Sequence, residues 1–330
     1  MKKYHVYGVG AALVDTEIEV SDEDLASLGV DKGLMTLVDE ARQAEIVSKL
    51  EGQLVHANRA SGGSAGNSII AVSYFGGSTF FSGKVANDDN GQFYLQDMAE
   101  AGTQTIPVSS DPGVTGKCLI LITPDAERSM NTFLGISETI STAELDAAAI
   151  AESEYLYLES YLVTSPNGQL AATTAAELAR KSQTKVALSF SDPGIVEHFS
   201  AGIADIIADG VDLVFCNEDE ARAYAQTAEL DEAIDTLKGV ATEFVVTRGA
   251  QGALVFDGQT LHHVDGVSVE AVDTNGAGDM FAGAYLYGIT HGMNQREAGQ
   301  FASAAAAQIV AQYGPRLSGD EYRQLRANWK

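Results

Sequence analysis

Cysteine is scarce in this chain. Only Cys118 and Cys216 occur, far apart and without C-x-x-C spacing, which points away from a disulfide framework and from a zinc site. Cations are also few: 20 Lys and Arg stand against 46 Asp and Glu, a formal net charge of −26. Nucleic acid and anionic membranes attract basic surfaces, so neither is an expected partner, and the ordinary consequence of such a charge is solubility. No apolar run reaches the length that crosses a bilayer. Met1–Val14 carries two lysines and then apolar residues, but the run is short, Asp15 interrupts it and no A-x-A cleavage pattern follows. It reads as a buried first strand rather than a signal peptide, and the chain is expected in the cytoplasm.

What is present is a large apolar fraction, 45% of 330 residues, enough to bury a substantial core in one large α/β domain or two ordinary ones. Short apolar runs at His5–Gly10, Ser78–Gly83, Tyr155–Glu159, Val186–Ser189, Leu213–Cys216, Phe244–Thr247 and Ala253–Phe256 read as strands. Segments of helical period fall among them, at Asn67–Phe75, Asp89–Ala101, Gln169–Lys181, Glu218–Ala225 and Asp231–Lys238, and again at Gly278–Thr290 and Arg296–Gln312. This alternation predicts an α/β fold, a doubly wound, mostly parallel sheet with helices on both faces. Ligands of such sheets gather at the carboxyl ends of the strands. Two regions break the rhythm: the acidic stretch Thr16–Thr36, and Gly116–Thr123 with its turn and second run Arg128–Leu134. They read as a small β lid, about 12–40 and 105–135, inserted in a single domain spanning 1–330; an ordinary surface hairpin is the alternative.

Residues Asp273–Asp279 read D-T-N-G-A-G-D and run into the apolar Met280-Phe281-Ala282-Gly283. Gly276, Ala277 and Gly278 permit a tight turn and leave backbone N–H groups free at a helix start, which is an anion site. Asp279 falls in the first helical turn beside those donors. A carboxylate there can take a proton from an alcohol while the donors hold charge developing on phosphate; the plainer alternative is an acid that merely favours the helix N-terminus.

Asp273–Gly283 resembles the signature of the ribokinase-like, or PfkB, family of carbohydrate and nucleoside kinases. Three further elements of that family occur in family order: Ser61-Gly62-Gly63-Ser64-Ala65-Gly66-Asn67, Asn217-Glu218-Asp219-Glu220 and Thr247-Arg248-Gly249-Ala250-Gln251-Gly252. The resemblance implies an ATP-dependent phosphotransferase with Asp279 as general base and Mg²⁺ on the phosphates. It assigns Asp15, Gly62, Gly63 and Asn67 to the acceptor, and Thr247, Gly249, Gly252 and Asn275 to ATP. Asn217 and Glu220 orient the metal, and Arg128 reaches the phosphates when the lid closes. Some members need K⁺ near the anion hole. Lid strands pair between subunits in some members, so monomer and homodimer are both allowed.

Bottom-up readings stand beside each of these. Gly62 and Gly63 permit close backbone approach to a ligand, and Asn67 supplies a donor and an acceptor suited to a diol; a loop-to-helix turn capped by Ser64 is the alternative. Asn217 and Glu220 fit an oxygen-rich metal site or a capping box. Thr247, Gly249 and Gly252 fit a tight turn between strands, and Arg128 fits an exposed surface cation. His262 and His263 are adjacent in a strand candidate and face opposite ways, a poor metal pair.

The long acidic insert after Asp15, with Asp24-Leu25 and Gly33-Leu34-Met35, and the string Glu127-Arg128-Ser129-Met130 are closest in layout to adenosine kinases. A nucleoside phosphorylated at its 5′-hydroxyl is therefore the expected acceptor, with a simple sugar such as ribose or fructose as the alternative. The chain departs from that layout at Ala11, where Asn is common, and at Asn275, where Thr is frequent. Two other nucleotide folds fail: after Gly8-Val9-Gly10 the third dinucleotide-binding glycine would fall at Leu13, and Gly116-Lys117 is followed by Cys118 where a P-loop needs Ser or Thr. A non-catalytic sugar- or nucleotide-binding regulator on the same fold would require loss of the Asp279 carboxylate, which is present.

Overall fold

The computed structural model describes residues 2–50, 58–125, 127–208 and 210–329. Among the described residues nine strands form the main sheet. In spatial order they are β14 (Leu261–Val264), β13 (Ala253–Phe256), β12 (Ala241–Thr247), β11 (Val211–Asn217), β10 (Lys185–Ser189), β9 (Ser153–Glu159), β1 (Tyr4–Val9), β5 (Thr79–Ser82) and β6 (Gln104–Thr105). Pairing is parallel from β12 through to β6, and β13 and β14 add antiparallel at one edge. The interior strands are apolar on both faces because helices cover both. On one face the helices Ser64–Tyr74, Ala277–Thr290 and Gln295–Val310 share a core with Val6, Phe81 and Phe215. On the other, Pro166–Lys181, Ser200–Ile207 and Leu230–Lys238 pack on Tyr7, Leu156 and Val246. Every strand expected in the main sheet is there; β6 and β14 were not foreseen, β6 being only two residues long.

A second sheet of five strands stands apart: β3 (Met35–Leu37), β8 (Arg128–Phe133), β7 (Gly116–Ile122), β2 (Leu13–Glu19) and β4 (Asn58–Gly62). It contains the expected hairpin and more; of the 105–135 segment, residue 126 lies outside the described residues. Alternation splits its side chains. Ile18, Leu119 and Leu121 pack under the helices Asp22–Leu28 and Glu40–Lys49, while Leu13, Asp15, Cys118, Ile120, Met130 and Thr132 face a cavity between the sheets. β4 was unforeseen because its glycine- and serine-containing sequence reads as loop; it pairs antiparallel with β2, Gly62 opposite Leu13. Two of the passages of the chain from one sheet to the other bear on the site, at Gly10–Ala12 between β1 and β2, and at Gly63 between β4 and the helix Ser64–Tyr74.

Candidate active site

The cavity has a volume of about 430 Å³ and lies over the carboxyl ends of β9, β10 and β11, as the strand-end rule predicts. Glu159, Ser191, Asp192, Asn217 and Glu220 line it from the main sheet, and Asn275, Gly276, Gly278 and Asp279 from the helix start. A smaller cavity of about 90 Å³ shares Ser64, Asn217, Glu220, Gly278 and Asp279 with it and extends to Thr247.

Two helices bring the central carboxylate into place. Gly283 of Ala277–Thr290 packs where a Cβ would stand 2.5 Å from the Ser68 carbonyl of Ser64–Tyr74. One turn earlier on each helix, Asp279 meets Ser64. The Ser64 hydroxyl donates to Asp279 Oδ1 at 2.7 Å, and the Asn67 amide Nδ2 donates to Oδ2 at 3.0 Å. Burial pushes the Asp279 carboxyl up to about 6 against the pull of those two hydrogen bonds. Ser64 is therefore not the cap that its position suggested: the N-cap is Gly63, with φ 90° and no side-chain cap bond. A Cβ on Gly63 would stand 2.1 Å from the Ala11 carbonyl oxygen, so only glycine fits.

The helix Ala277–Thr290 starts at Gly276, in the left-handed region at φ 74°, and has no side-chain cap. Its first-turn N–H groups thus lack the usual side-chain acceptor. A Cβ on Gly278 would meet nothing within 4 Å, so the cavity side of this turn is open. The Ala277 N–H is engaged by the Thr274 carbonyl at 3.3 Å, and Ala277 does not line the cavity. Asp273 anchors the whole loop: its Oδ1 accepts from Asn275 N–H at 2.9 Å and its Oδ2 from Gly314 N–H at 2.8 Å.

Arg128 is neither an exposed cation nor a wall of the cavity. It is buried, its guanidinium donates to both carboxylate oxygens of Asp273, and Nη1 reaches Glu17 at 3.2 Å. Two buried carboxylates require a counter-charge, and Arg128 supplies it. Asp15 does line the cavity, 6% exposed, and its oxygens accept no hydrogen bond from the described residues. Burial pushes its carboxyl up to about 7, with the Glu17 and Asp279 charges adding and Arg316 opposing. Gly62 lies behind Asp15 rather than in the cavity wall: a Cβ there would stand 2.1 Å from the Asp15 carboxylate.

Asn217 and Glu220 form the capping box that their spacing allowed. The Asn217 side chain accepts from Glu220 N–H at 2.8 Å, and Glu220 accepts from Asn217 N–H at 3.0 Å. Both also line the cavity, and burial pushes Glu220 up to about 7. Gly249 and Gly252 shape the turn from β12 to β13; a Cβ on Gly252 would stand 2.0 Å from the Val264 carbonyl oxygen. Of that motif Thr247 lines the smaller cavity. His262 pairs with Asp257 at 2.7 Å, away from the site.

Glu159 and Arg316 complete the site without a motif to mark either of them. Glu159, fully buried at the end of β9, accepts from Ala11 N–H and Ala65 N–H, both at 2.7 Å, and so ties the crossing at Gly10–Ala12 to the one at Gly63. Its only sequence signal is an acid closing an apolar strand. Arg316 donates to Asp97, Ser61 and Asn67, and no motif marks it.

Among solved structures, a probable sugar kinase from Rhizobium etli superposes with TM-score 0.91 at 31% identity, covering 99% of each chain. Adenosine kinase from Sinorhizobium meliloti gives 0.90 at 32%, covering 98% of this chain and 99% of the other. Adenosine kinase of Saccharomyces cerevisiae is 28% identical over 93% of this chain and 95% of its own. The model of the pfkB family carbohydrate kinases matches residues 35–321. The chain thus belongs to the PfkB family, on the side of the adenosine kinases, and is a phosphotransferase with an alcohol group as acceptor.

Proposed function

We propose that the chain transfers the terminal phosphoryl group of ATP to the 5′-hydroxyl of a nucleoside, with Asp279 as general base. The observation that carries this reading is the pairing of Asp279, at an uncapped helix start, with the unpartnered carboxylate of Asp15 in one cavity. Among the described residues nothing donates to Asp15, and two vicinal hydroxyls would supply donors. Asp279 takes the proton of the attacking hydroxyl, and the open N–H groups around Gly276 and Gly278 stabilise charge on the transferred group. Thr247, at the end of β12 beside the turn shaped by Gly249 and Gly252, and Asn275, in the loop before the helix Ala277–Thr290, face the nucleotide. Gly63 and Asn67 border the acceptor, and the second sheet acts as its lid.

A nucleoside is favoured over a sugar by the wall that the second sheet and its neighbours present. Leu13, Ile120, Met130, Leu134 and Ile140 offer apolar surface to a flat base. The adenosine kinases among the relatives agree. Among the described residues no cluster of three or more His, Cys, Asp or Glu could hold a metal by itself. That suits Mg²⁺, which keeps its waters and binds through one or two protein oxygens plus phosphates; Glu220 and Asn217 are the oxygen donors at hand. Bound there, Mg²⁺ would neutralise charge on the phosphates.

The test is an ADP-release screen with MgATP over adenosine, other nucleosides, ribose and fructose. Adenosine or another nucleoside giving the highest kcat/KM supports the acceptor class. Ribose or fructose ahead of every nucleoside overturns it, and no ADP release with any acceptor counts against the kinase site.

A further inference from the structure

We propose that Arg316 is a positioning residue for phosphoryl transfer, acting by fixing the side-chain amide of Asn67 so that its NH₂ faces Asp279. The inference rests on Asp279 being the base.

Three consecutive residues after the last long helix enclose the catalytic loop. The Gly314 N–H donates to Asp273 at 2.8 Å. Pro315 packs on Gly276, where a Cβ would stand 2.7 Å from the Pro315 Cα. Arg316 then reaches across to the other helix. Its Nε donates to Asn67 Oδ1 at 3.2 Å, its Nη1 to Asp97 at 2.7 Å and its Nη2 to the Ser61 hydroxyl at 2.9 Å. Asn67 passes this order on, since its Nδ2 donates to Asp279 Oδ2 at 3.0 Å.

The chemistry of the donors makes the arrangement directional. A guanidinium only donates and an ionised carboxylate only accepts. An amide set between them has one satisfied orientation, oxygen toward Arg316 and nitrogen toward Asp279. Remove the guanidinium, and the amide can turn its oxygen toward the carboxylate, which displaces the base. A planar fork held at three points suits this task, whereas a lysine ammonium has no such geometry. Arg316 does not line the cavity, so it acts through Asn67 rather than on a substrate.

The experiment is steady-state kinetics of Arg316→Gln and Arg316→Lys with MgATP and adenosine, or ribose where adenosine is inert. Both substitutions should lower kcat, Gln by about 10- to 100-fold, with the ATP KM unchanged. The acid limb of kcat should move to higher pH in Arg316→Gln and stay in place in Arg316→Lys, which keeps the charge. The other groups facing Asp279 are the acids Asp15 and Glu159 and the phenols Tyr157, Tyr161 and Tyr322, and none of them replaces the lost cation. Millimolar guanidinium should restore part of the rate to Arg316→Gln, a recovery that a merely unfolded variant would not give. Wild-type kcat and acid limb in Arg316→Gln overturn the proposal. If that variant fails to fold, Asp97→Asn decides: it loosens the guanidinium without removing it, so kcat should fall at constant ATP KM, and an unchanged kcat overturns. An active Asp279→Asn would instead sink the base assignment, whereas a crippled Asp279→Asn beside a normal Arg316→Gln would sink only the role of Arg316.

Discussion

Gly62→Ala probes the acceptor side with a single methyl group. An added Cβ would stand 2.1 Å from Asp15 Cγ, against the 3.4 Å at which ordinary contact begins. The carboxylate must therefore retreat by about 1.3 Å. β4 and β2 are hydrogen-bonded neighbours at this point, so the backbone offers little relief. The side chain moves instead, into the space an acceptor would use. Such overpacking costs about 1–3 kcal/mol of stability. A displacement on that scale at a binding group costs about 100-fold in kcat/KM for the acceptor, while the ATP KM should stay as it was. The decisive assay is a double-mutant cycle with Asp15→Ala. If Gly62 matters only by making room for the carboxylate, Gly62→Ala costs little more once the carboxylate is gone. Wild-type acceptor kinetics in Gly62→Ala, or fully additive losses in the double variant, would show that Gly62 does not serve the carboxylate in this way.

Three other outcomes follow from the same geometry. Asp15→Ala should raise the acceptor KM and leave ATP binding intact, checked by separate KM values; a pure loss of ATP affinity contradicts the assignment. Glu220→Gln keeps the capping-box bond from the Asn217 N–H and gives up only the one that Asn217 Nδ2 donates to the second oxygen; it should lower the melting temperature slightly but raise the Mg²⁺ concentration for half-maximal rate, and an unchanged requirement removes Glu220 from the metal. Activity and stability should move in opposite directions with pH. Asp279 near 6, and Asp15 and Glu220 near 7, gain protons as the pH falls, so kcat/KM should drop from pH 7 to pH 5. The same raised carboxyls stabilise the ligand-free fold at low pH, and that stability is lost as the pH rises through 6–7. A melting temperature that climbs from pH 6 to pH 8, or a flat rate profile down to pH 5, would contradict those values.

The main sheet was legible because its strands are short apolar runs set among segments of helical period, two signals that local sequence carries. The loop Asp273–Asp279 was legible because D-T-N-G-A-G-D needs small residues for its turn and places an acid in the first helical turn. The second sheet was half legible. Gly116–Ile122 reads as a strand, but Asn58–Gly62 becomes one only through its pairing with Leu13–Glu19. Arg128 shows the other limit. The family resemblance implied a phosphate ligand on lid closure, a role its sequence does not reveal; here Asp273 and Glu17, distant in the chain, hold its guanidinium. Arg316 and Glu159 act through contacts 249 and 148 residues away in sequence, which no local pattern encodes. Gly62 matches a motif for a reason other than ligand approach: it clears space for Asp15.

In the proposed reaction Asp279 removes the proton of the acceptor hydroxyl. Asp279→Asn keeps the shape of the side chain and removes its basicity, so kcat at saturating MgATP and acceptor is the most direct measurement. A fall of about 10²–10⁴-fold with little change in ATP affinity is the expected result, and a kcat equal to that of the unmodified enzyme would contradict it.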